Sequence, residues 1–292
     1  MGEMEVPEDA LWGASTQRAV LNFPVSSLRL SQGFISAIGI IKVAAAEANM
    51  ALGLLDSERG EAIVKAGKEV IDGTIYRHFV VDVFQTGSGT STNMNANEVI
   101  TNRALEILGK GKGERGFIHA NDHVNNCQSS NDVFPSAIHI AAHQAIKERL
   151  VPALKGLQSV FEAKAREFST IIKTGRTHLQ DATPITLGQE FSGYASQIKH
   201  GVERVERSGQ QLLSLALGGT AVGTGLNTHP EFARIAISKI AALTGSDFRE
   251  TDNHFEAQAT QDAAVEVSGQ LRTVTVSLMK IANDVRWLSS GP

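Results

Sequence analysis

The spacing of apolar residues near the C-terminus constrains the fold more than any other feature. Ala264, Val267, Leu271, Val274, Leu278, Ile281, Val285 and Leu288 recur at alternating steps of three and four, with Glu266, Gln270, Arg272, Lys280 and Asp284 between them. Such a repeat marks a helix buried along a narrow seam against neighbouring helices. It predicts one helix from about Asn253 to Trp287, roughly 50 Å long at about 1.5 Å per residue. Leu187, Phe191, Tyr194, Ile198, Gly201, Val205, Ser208, Leu212 and Leu215 step in the same way and predict a second rod over 186–215. Pro184 fits its start, Thr186 with Gln189 offers a capping box, and Gly218 and Gly219 mark its end. A third rod is predicted from Phe134 to Phe168, bent or split at Pro152. Three rods of this length imply a helical bundle, and seams this regular ask for partners beyond one chain.

The first 125 residues read differently. Shorter helical segments at about 30–52, 57–72 and 92–108 are joined by polar turns at 85–91 and 109–126. The expected fold class is therefore mainly α: a smaller N-terminal helical domain, 1–127, followed by a long-helix bundle domain, 128–292. Aromatic residues make up only 5% of the 292 residues, which suits packed aliphatic helices better than a β-sandwich. A net charge of -4 without a basic tract argues against nucleic acid and against a membrane surface. No apolar run stands out as long enough to span a bilayer, and Glu3, Glu5, Glu8 and Asp9 occupy the place of a signal peptide. The single cysteine, Cys127, excludes an internal disulfide framework and fits a reducing cytoplasm.

Three polar segments interrupt the helical pattern. "QTGSGTSTNMNANE", 85–98, crowds Ser88, Thr90, Ser91 and Thr92 together, with Gly87 and Gly89 among them, ahead of a helix. Unpaired N–H groups and a partial positive charge at a helix N-terminus favour carboxylates and phosphates, and glycines let a ligand approach the backbone. The alternative is a plain cap made by Ser91 or Thr92. No Gly-Lys-Ser/Thr follows, so this is not a Walker loop. "HANDHVNNCQSSND", 119–132, places Ser129, Ser130 and Asn131 before the next helix. His119 with His123, and His139 with His143, stand four apart but have no third metal ligand in view, so no metal is expected. "GRTHLQDATP", 175–184, sets Arg176, Thr177, His178, Gln180 and Asp181 in a loop before a long helix. The Gly-rich run 218–227 follows a helix rather than a strand, which excludes a dinucleotide loop.

Taken together, these segments resemble the fumarase/aspartase superfamily, and the resemblance extends from "MGEMEVPEDALWGASTQRAVLNFP" to "KIANDVRWLSSGP". Within it, "TGSGTSTNMN", "QSSND" and "GRTHLQD" are similar to class II fumarases, the metal-independent fumarate hydratases; aspartases tend to carry a GAGTS-like loop, Thr at the place of Ser130, and Gln at the place of His178. The resemblance implies a hydro-lyase of the tricarboxylic acid cycle that interconverts malate and fumarate without a cofactor. Its substrate site would comprise Ser88, Thr90, Ser129, Ser130, Asn131, Thr177 and His178, brought together from different chains of a homotetramer. His178 would be the catalytic residue that binds or activates water and shuttles its proton. His119, Asn121 and Asp122 resemble a second anion site near the entrance. The family's GSSxMPGKxNP loop lies downstream of "RWLSSGP". The chain is thus expected to be a truncated form without that loop and the C-terminal domain, able to hold a dicarboxylate but barely to turn it over. Two other readings stay open: another superfamily lyase such as an ammonia-lyase, and a non-catalytic helical assembly protein for which the seams alone would suffice.

Overall fold

In the computed structural model, residues 3–114 and 116–291 are described. In chain order the helices are α1 (Ala14–Asn22), α2 (Gln32–Ala51), α3 (Ser57–Asp72), α4 (Thr90–Ile107), α5 (Ser130–Ala145), α6 (Val151–Glu167), α7 (Leu187–Gly209), α8 (Phe232–Thr244), α9 (His254–Ala259) and α10 (Asp262–Leu288). Two small sheets interrupt them: β1 (Ile172–Thr177) pairs antiparallel with β2 (Gln180–Thr186), and β3 (Ser214–Leu215) pairs parallel with β4 (Arg249–Glu250). The mainly α class expected from the sequence holds. The chain divides into two compact units, one of 1–142 with 213–261, the other of 143–212 with 262–292. This division differs from a single cut at 127/128, because the segment 213–261 returns to pack with the N-terminal helices.

The first unit is built around α2, whose Ile35, Ile38, Ile41, Ala44, Ala45 and Ala48 are all buried. It packs on α3 and α8. Ser31 and Asp56 cap α2 and α3 by accepting the amides of Phe34 and Arg59, which removes one orphan donor from each. The segments expected at 30–52, 57–72 and 92–108 match α2, α3 and α4 closely. One expectation fails here: α2 is long and apolar enough to cross a membrane by length and composition. The structure uses it as a core helix instead, with 72% of its most apolar stretch buried inside the unit.

In the second unit α7 lies along α6 and α10. The capping box forms as expected: Gln189 N–H donates to Thr186 Oγ1 at 3.1 Å and Thr186 N–H to Gln189 Oε1 at 2.9 Å. Phe161, Phe168, Phe191 and Tyr194 form edge-on aromatic contacts between α6 and α7. The third rod changes its winding partway along. A π-helical turn, Ile146–Leu150, sits between α5 and α6, and Pro152, lacking an N–H, falls in the first turn of α6 where none is needed.

Both long-rod boundaries were overextended. α7 stops at Gly209; Leu212 and Leu215 remain buried and keep the apolar spacing, but Ser214 and Leu215 pair with β4. Pro184 lies within β2 rather than at the helix start. The C-terminal rod begins at Asp262, because Thr260 is extended (φ -126°, ψ 168°) and separates it from the short α9. Along α10 only Val267, Val274 and Ile281 of the seam are buried, one per heptad; Leu271 and Leu278 are half-buried and Val285 and Leu288 exposed.

Candidate active site

Helices α4 and α5 start beside one another, and their N-termini carry the two hydroxyl sets. Gly89 is the residue before α4, with φ 73°, and a Cβ there would lie 2.0 Å from Phe134 Cδ2 in the first turns of α5. Only glycine accepts both that backbone and that approach. Neither Ser91 nor Thr92 caps the helix, contrary to expectation. Gln85 does it from outside, donating to Thr92 Oγ1 and accepting the Thr92 amide at 2.9 Å. The loop side chains are thereby left for other partners. Ser88 and Thr90 hydroxyls bond to each other at 2.9 Å, so one hydrogen of the pair stays available.

At α5, Ser129 N–H donates to Asp132 Oδ1 at 2.9 Å and Asn131 N–H donates to Ser129 Oγ at 3.2 Å. Asn131 Nδ2 donates to the Ala221 carbonyl at 2.8 Å. The other oxygen of Asp132 accepts the amides of Gly218 and Thr220, at 3.0 and 2.9 Å, so the Gly-rich run is pinned to the start of α5. Thr220 has φ 54° and Gly218 φ 102°, a left-handed path that this carboxylate holds in place. Burial pushes the Asp132 carboxyl up to about 6, against the pull of those amides and of Lys42.

Lys42 projects from the apolar run of α2 and is fully buried. Its ammonium donates to Asn125 Oδ1 at 2.8 Å and Gln128 Oε1 at 2.9 Å. Burial brings it down to about 7, with Asp132 pulling the other way. Asn93 Nδ2, from α4, donates to the same Asn125 Oδ1 at 3.1 Å and to Ser130 Oγ at 3.3 Å. Sequence reasoning missed Gln85, Lys42, Asn93, Asn125, Gln128 and Asp132. The legible signal was Lys42, a single charge inside "SAIGIIKVAAA", where a buried lysine requires partners.

The segment holding Thr177 and His178 is a β-hairpin in the second unit rather than a loop. Thr177 pairs with Gln180, and His178 and Leu179 form the two-residue tip with φ 50° and 62°. Such a tip requires positive φ at both positions, which Asn-Gly meets easily and His-Leu at a cost of roughly 1–2 kcal/mol per residue. Leu179 is 86% exposed at that tip, and Arg176 pairs loosely with Asp181 at 3.3 Å.

The two histidine pairs singled out in the sequence divide. His139 Nδ1 meets the Ser214 carbonyl at 2.8 Å and His143 Nδ1 the Gly209 carbonyl at 3.3 Å, structural roles for both. His119 Nδ1 lies 2.9 Å from Asp122 Oδ2, while His123 Nδ1 accepts the His119 amide at 2.8 Å. Among the described residues there is no cluster of three or more His, Cys, Asp or Glu that could hold a metal. His119 and Asn121, but not Asp122, line a cavity of about 140 Å³ with Asn97, Glu98, Thr101 and Asn102. Glu98 in its wall accepts the amides of Gly13, Ser15 and Thr16 and so anchors the start of α1.

These helix ends group neutral donors in a mainly α-helical protein, and comparison with known proteins gives its class. A family model described as "Lyase" matches residues 2–292, and the chain belongs to that family. Fumarate hydratase class II of Nitrosomonas europaea is 56% identical over 292 residues, covering all of this chain and 63% of that protein. The corresponding protein of Halobacterium salinarum is 58% identical, with 100% and 62% covered. The recombinant class II fumarase from Schistosoma mansoni superposes with a TM-score of 0.96 at 38% identity, over 100% of this chain and 64% of that one. A fumarate lyase:delta crystallin structure from Brucella melitensis, bound to cobalt, gives 0.95 at 47% identity, over 100% and 64%. The chain therefore spans somewhat under two thirds of the length of the relatives it matches.

Proposed function

We propose that the protein carrying this chain is a class II fumarate hydratase, interconverting (S)-malate and fumarate plus water in the tricarboxylic acid cycle of the cytoplasm. The observation that carries the proposal is the meeting of two helix N-termini bearing Ser88, Thr90, Ser129, Ser130 and Asn131, all neutral donors. A dicarboxylate needs such donors: they hold its oxygens without trapping it in an ion pair. They also gain strength when loss of the C–H proton turns the carboxylate into a dianionic aci-form, where removing one aimed donor costs about 3–4 kcal/mol. Identities above 50% to proteins named for this activity support the reading.

Thr177 and His178, on the strained hairpin tip, join the substrate site in this proposal, with His178 activating water. His119, Asn121 and Asp122 form a second anion site apart from the reaction. The assembly is a homotetramer with sites shared between subunits. The half-exposed seam of α10, together with exposed Val276 and Met279 at 61% and 62%, supports subunit contacts there. Neither nucleic acid nor a membrane is a partner. Following fumarate absorbance with malate and then aspartate tests the assignment. Malate dehydration at a rate well above ammonia release is the expected result, and faster turnover of aspartate by the full gene product overturns it.

A further inference from the structure

The buried polar chain behind Ser130 has a direction, and Lys42 sets it. Charged Lys42 can only donate, and the atoms it meets at 2.8 and 2.9 Å are the carbonyl oxygens of Asn125 and Gln128. Both assignments close independently. Asn125 Nδ2 donates to the Gln128 carbonyl at 3.2 Å, and Gln128 Nε2 donates to the carbonyls of Val124 and Asn126 at 3.1 and 3.0 Å. With Asn125 Oδ1 fixed as an acceptor, the Asn93 group 3.1 Å from it must be the NH2. The same NH2 faces Ser130 Oγ at 3.3 Å. Ser130 therefore accepts from behind, and its own hydrogen is left to point away from the protein interior. Asn93 and Lys42 are 2% and 0% exposed, so bulk water cannot substitute for either.

We infer that Lys42 is a positioning residue which, through Asn125 and Asn93, locks the Ser130 hydroxyl as a hydrogen-bond donor to a substrate carboxylate. Without Lys42 the Asn125 oxygen loses its charged donor, and apart from its link to Asn93 only the bond from Asn125 Nδ2 to the Gln128 carbonyl holds that amide. Once Asn125 turns, an Asn93 oxygen turned toward Ser130 would draw the hydroxyl hydrogen inward. Ser130 would then present lone pairs to an anion. Asp132, the acidic group facing this cluster from α5, holds the neighbouring Gly218 and Thr220 amides and is engaged separately from the relay. The inference rests on the proposal that Ser130 binds a dicarboxylate, and it adds the reason why this hydroxyl donates.

The test is a pair of double-mutant cycles in the full gene product, Lys42→Met with Ser130→Ala and Asn93→Leu with Ser130→Ala. Inhibition by succinate, an unreactive dicarboxylate, is read alongside the thermal midpoint. Ser130→Ala alone should weaken succinate about 10- to 100-fold, the range for a hydrogen bond to a charged group. Lys42→Met and Asn93→Leu should each weaken it comparably. Adding Ser130→Ala to either should then cost under about threefold, because the hydroxyl has already lost its donor role. Independent, multiplying effects would overturn the inference while leaving Ser130 as a ligand. A merely structural Lys42 would give that outcome. If Ser130→Ala leaves succinate inhibition unchanged, the donor set itself is wrong and the inference falls with it. Should Lys42→Met fail to fold, Asn125→Leu with Ser130→Ala takes its place, because Asn125 is the link from Lys42 to Asn93, and multiplying effects there would overturn the inference equally.

Discussion

Gly89→Ala isolates the contact that brings the two donor sets together. Two costs add at this position. A non-glycine residue at φ 73° carries roughly 1–2 kcal/mol of backbone strain. The new methyl also falls 2.0 Å from Cδ2 and 2.3 Å from Cε2 of Phe134, a rigid ring that already packs on Phe34 at 4.9 Å between centroids. Overpacking of that kind costs about 1–3 kcal/mol more. The expected loss is about 2–5 kcal/mol. Gly87→Ala is the control: φ is 79°, but nothing lies within 4 Å of its Cβ, so only the backbone term of about 1–2 kcal/mol applies. Denaturant titration of both variants, with the slope checked for two-state behaviour, gives the difference directly. Because relief of the clash must move Phe134 and with it the start of α5, Gly89→Ala should also weaken succinate inhibition, whereas Gly87→Ala should not by this route. Equal losses of stability for the two variants would refute the argument that the ring, rather than the dihedral, enforces glycine here.

His178→Asn should lower turnover at least about a hundredfold, in keeping with loss of acid–base catalysis, while shifting the thermal midpoint little because the side chain is exposed on a hairpin tip; near-normal turnover would remove it from the mechanism. Val274→Ala should cost about 2 kcal/mol, since Val274 is 4% exposed against Gly201, while Leu278→Ala, half-buried, should cost less than a fully buried leucine's roughly 2–5 kcal/mol in a preparation without subunit contacts; unfolding curves of both variants check the order. Light scattering on the full gene product should give a tetramer, and a well-behaved monomer at micromolar concentration would contradict the seam proposal. The buried pair predicts a pH signature. Asp132 is raised to about 6 from 3.8, so the folded state holds the extra proton between those values and this group's stabilisation is lost as pH rises through that window; Lys42 is lowered to about 7 from 10.5, so its contribution is lost as pH falls from the upper value to the lower. Subtracting the stability profiles of Asp132→Asn and Lys42→Met from the parent's should expose a falling acid limb and a rising alkaline limb respectively, and flat differences would show both groups unperturbed.

The helical class and most N-terminal segments were legible because their signals are local. Caps such as Ser31, Asp56 and Thr186, and apolar residues at helical spacing, act within a few residues of where they stand. The overextended end of α7 has a non-local cause. Leu212 and Leu215 keep the apolar spacing past Gly209 and are buried, yet burial does not require that the backbone stay helical. Leu215 pairs instead with β4, more than thirty residues further on, which no window over 186–215 contains. The hairpin at 172–186 was hidden for a related reason: its tip, His178–Leu179, lacks the Asn-Gly chemistry by which such a turn is recognised.

The candidate site divides along the same line. The hydroxyls and amides of 88–90 and 129–131 could be read because a polar cluster ahead of a helix is a local statement. What orients them could not. Asn93 and Ser130 are 37 residues apart, Lys42 and Gln128 86, and Asp132 and Thr220 88. Each of these bonds exists only after α2, α4, α5 and the Gly-rich run 218–227 have come together. The one trace in the sequence is Lys42 itself, since a charge in the middle of an apolar core helix is too costly to keep without an obligatory acceptor on the other side. A lone buried cation in an otherwise apolar helix therefore points toward a polar loop elsewhere in the chain whose carbonyl groups it must meet. Here that loop, 125–128, is the one that ends at the expected substrate site.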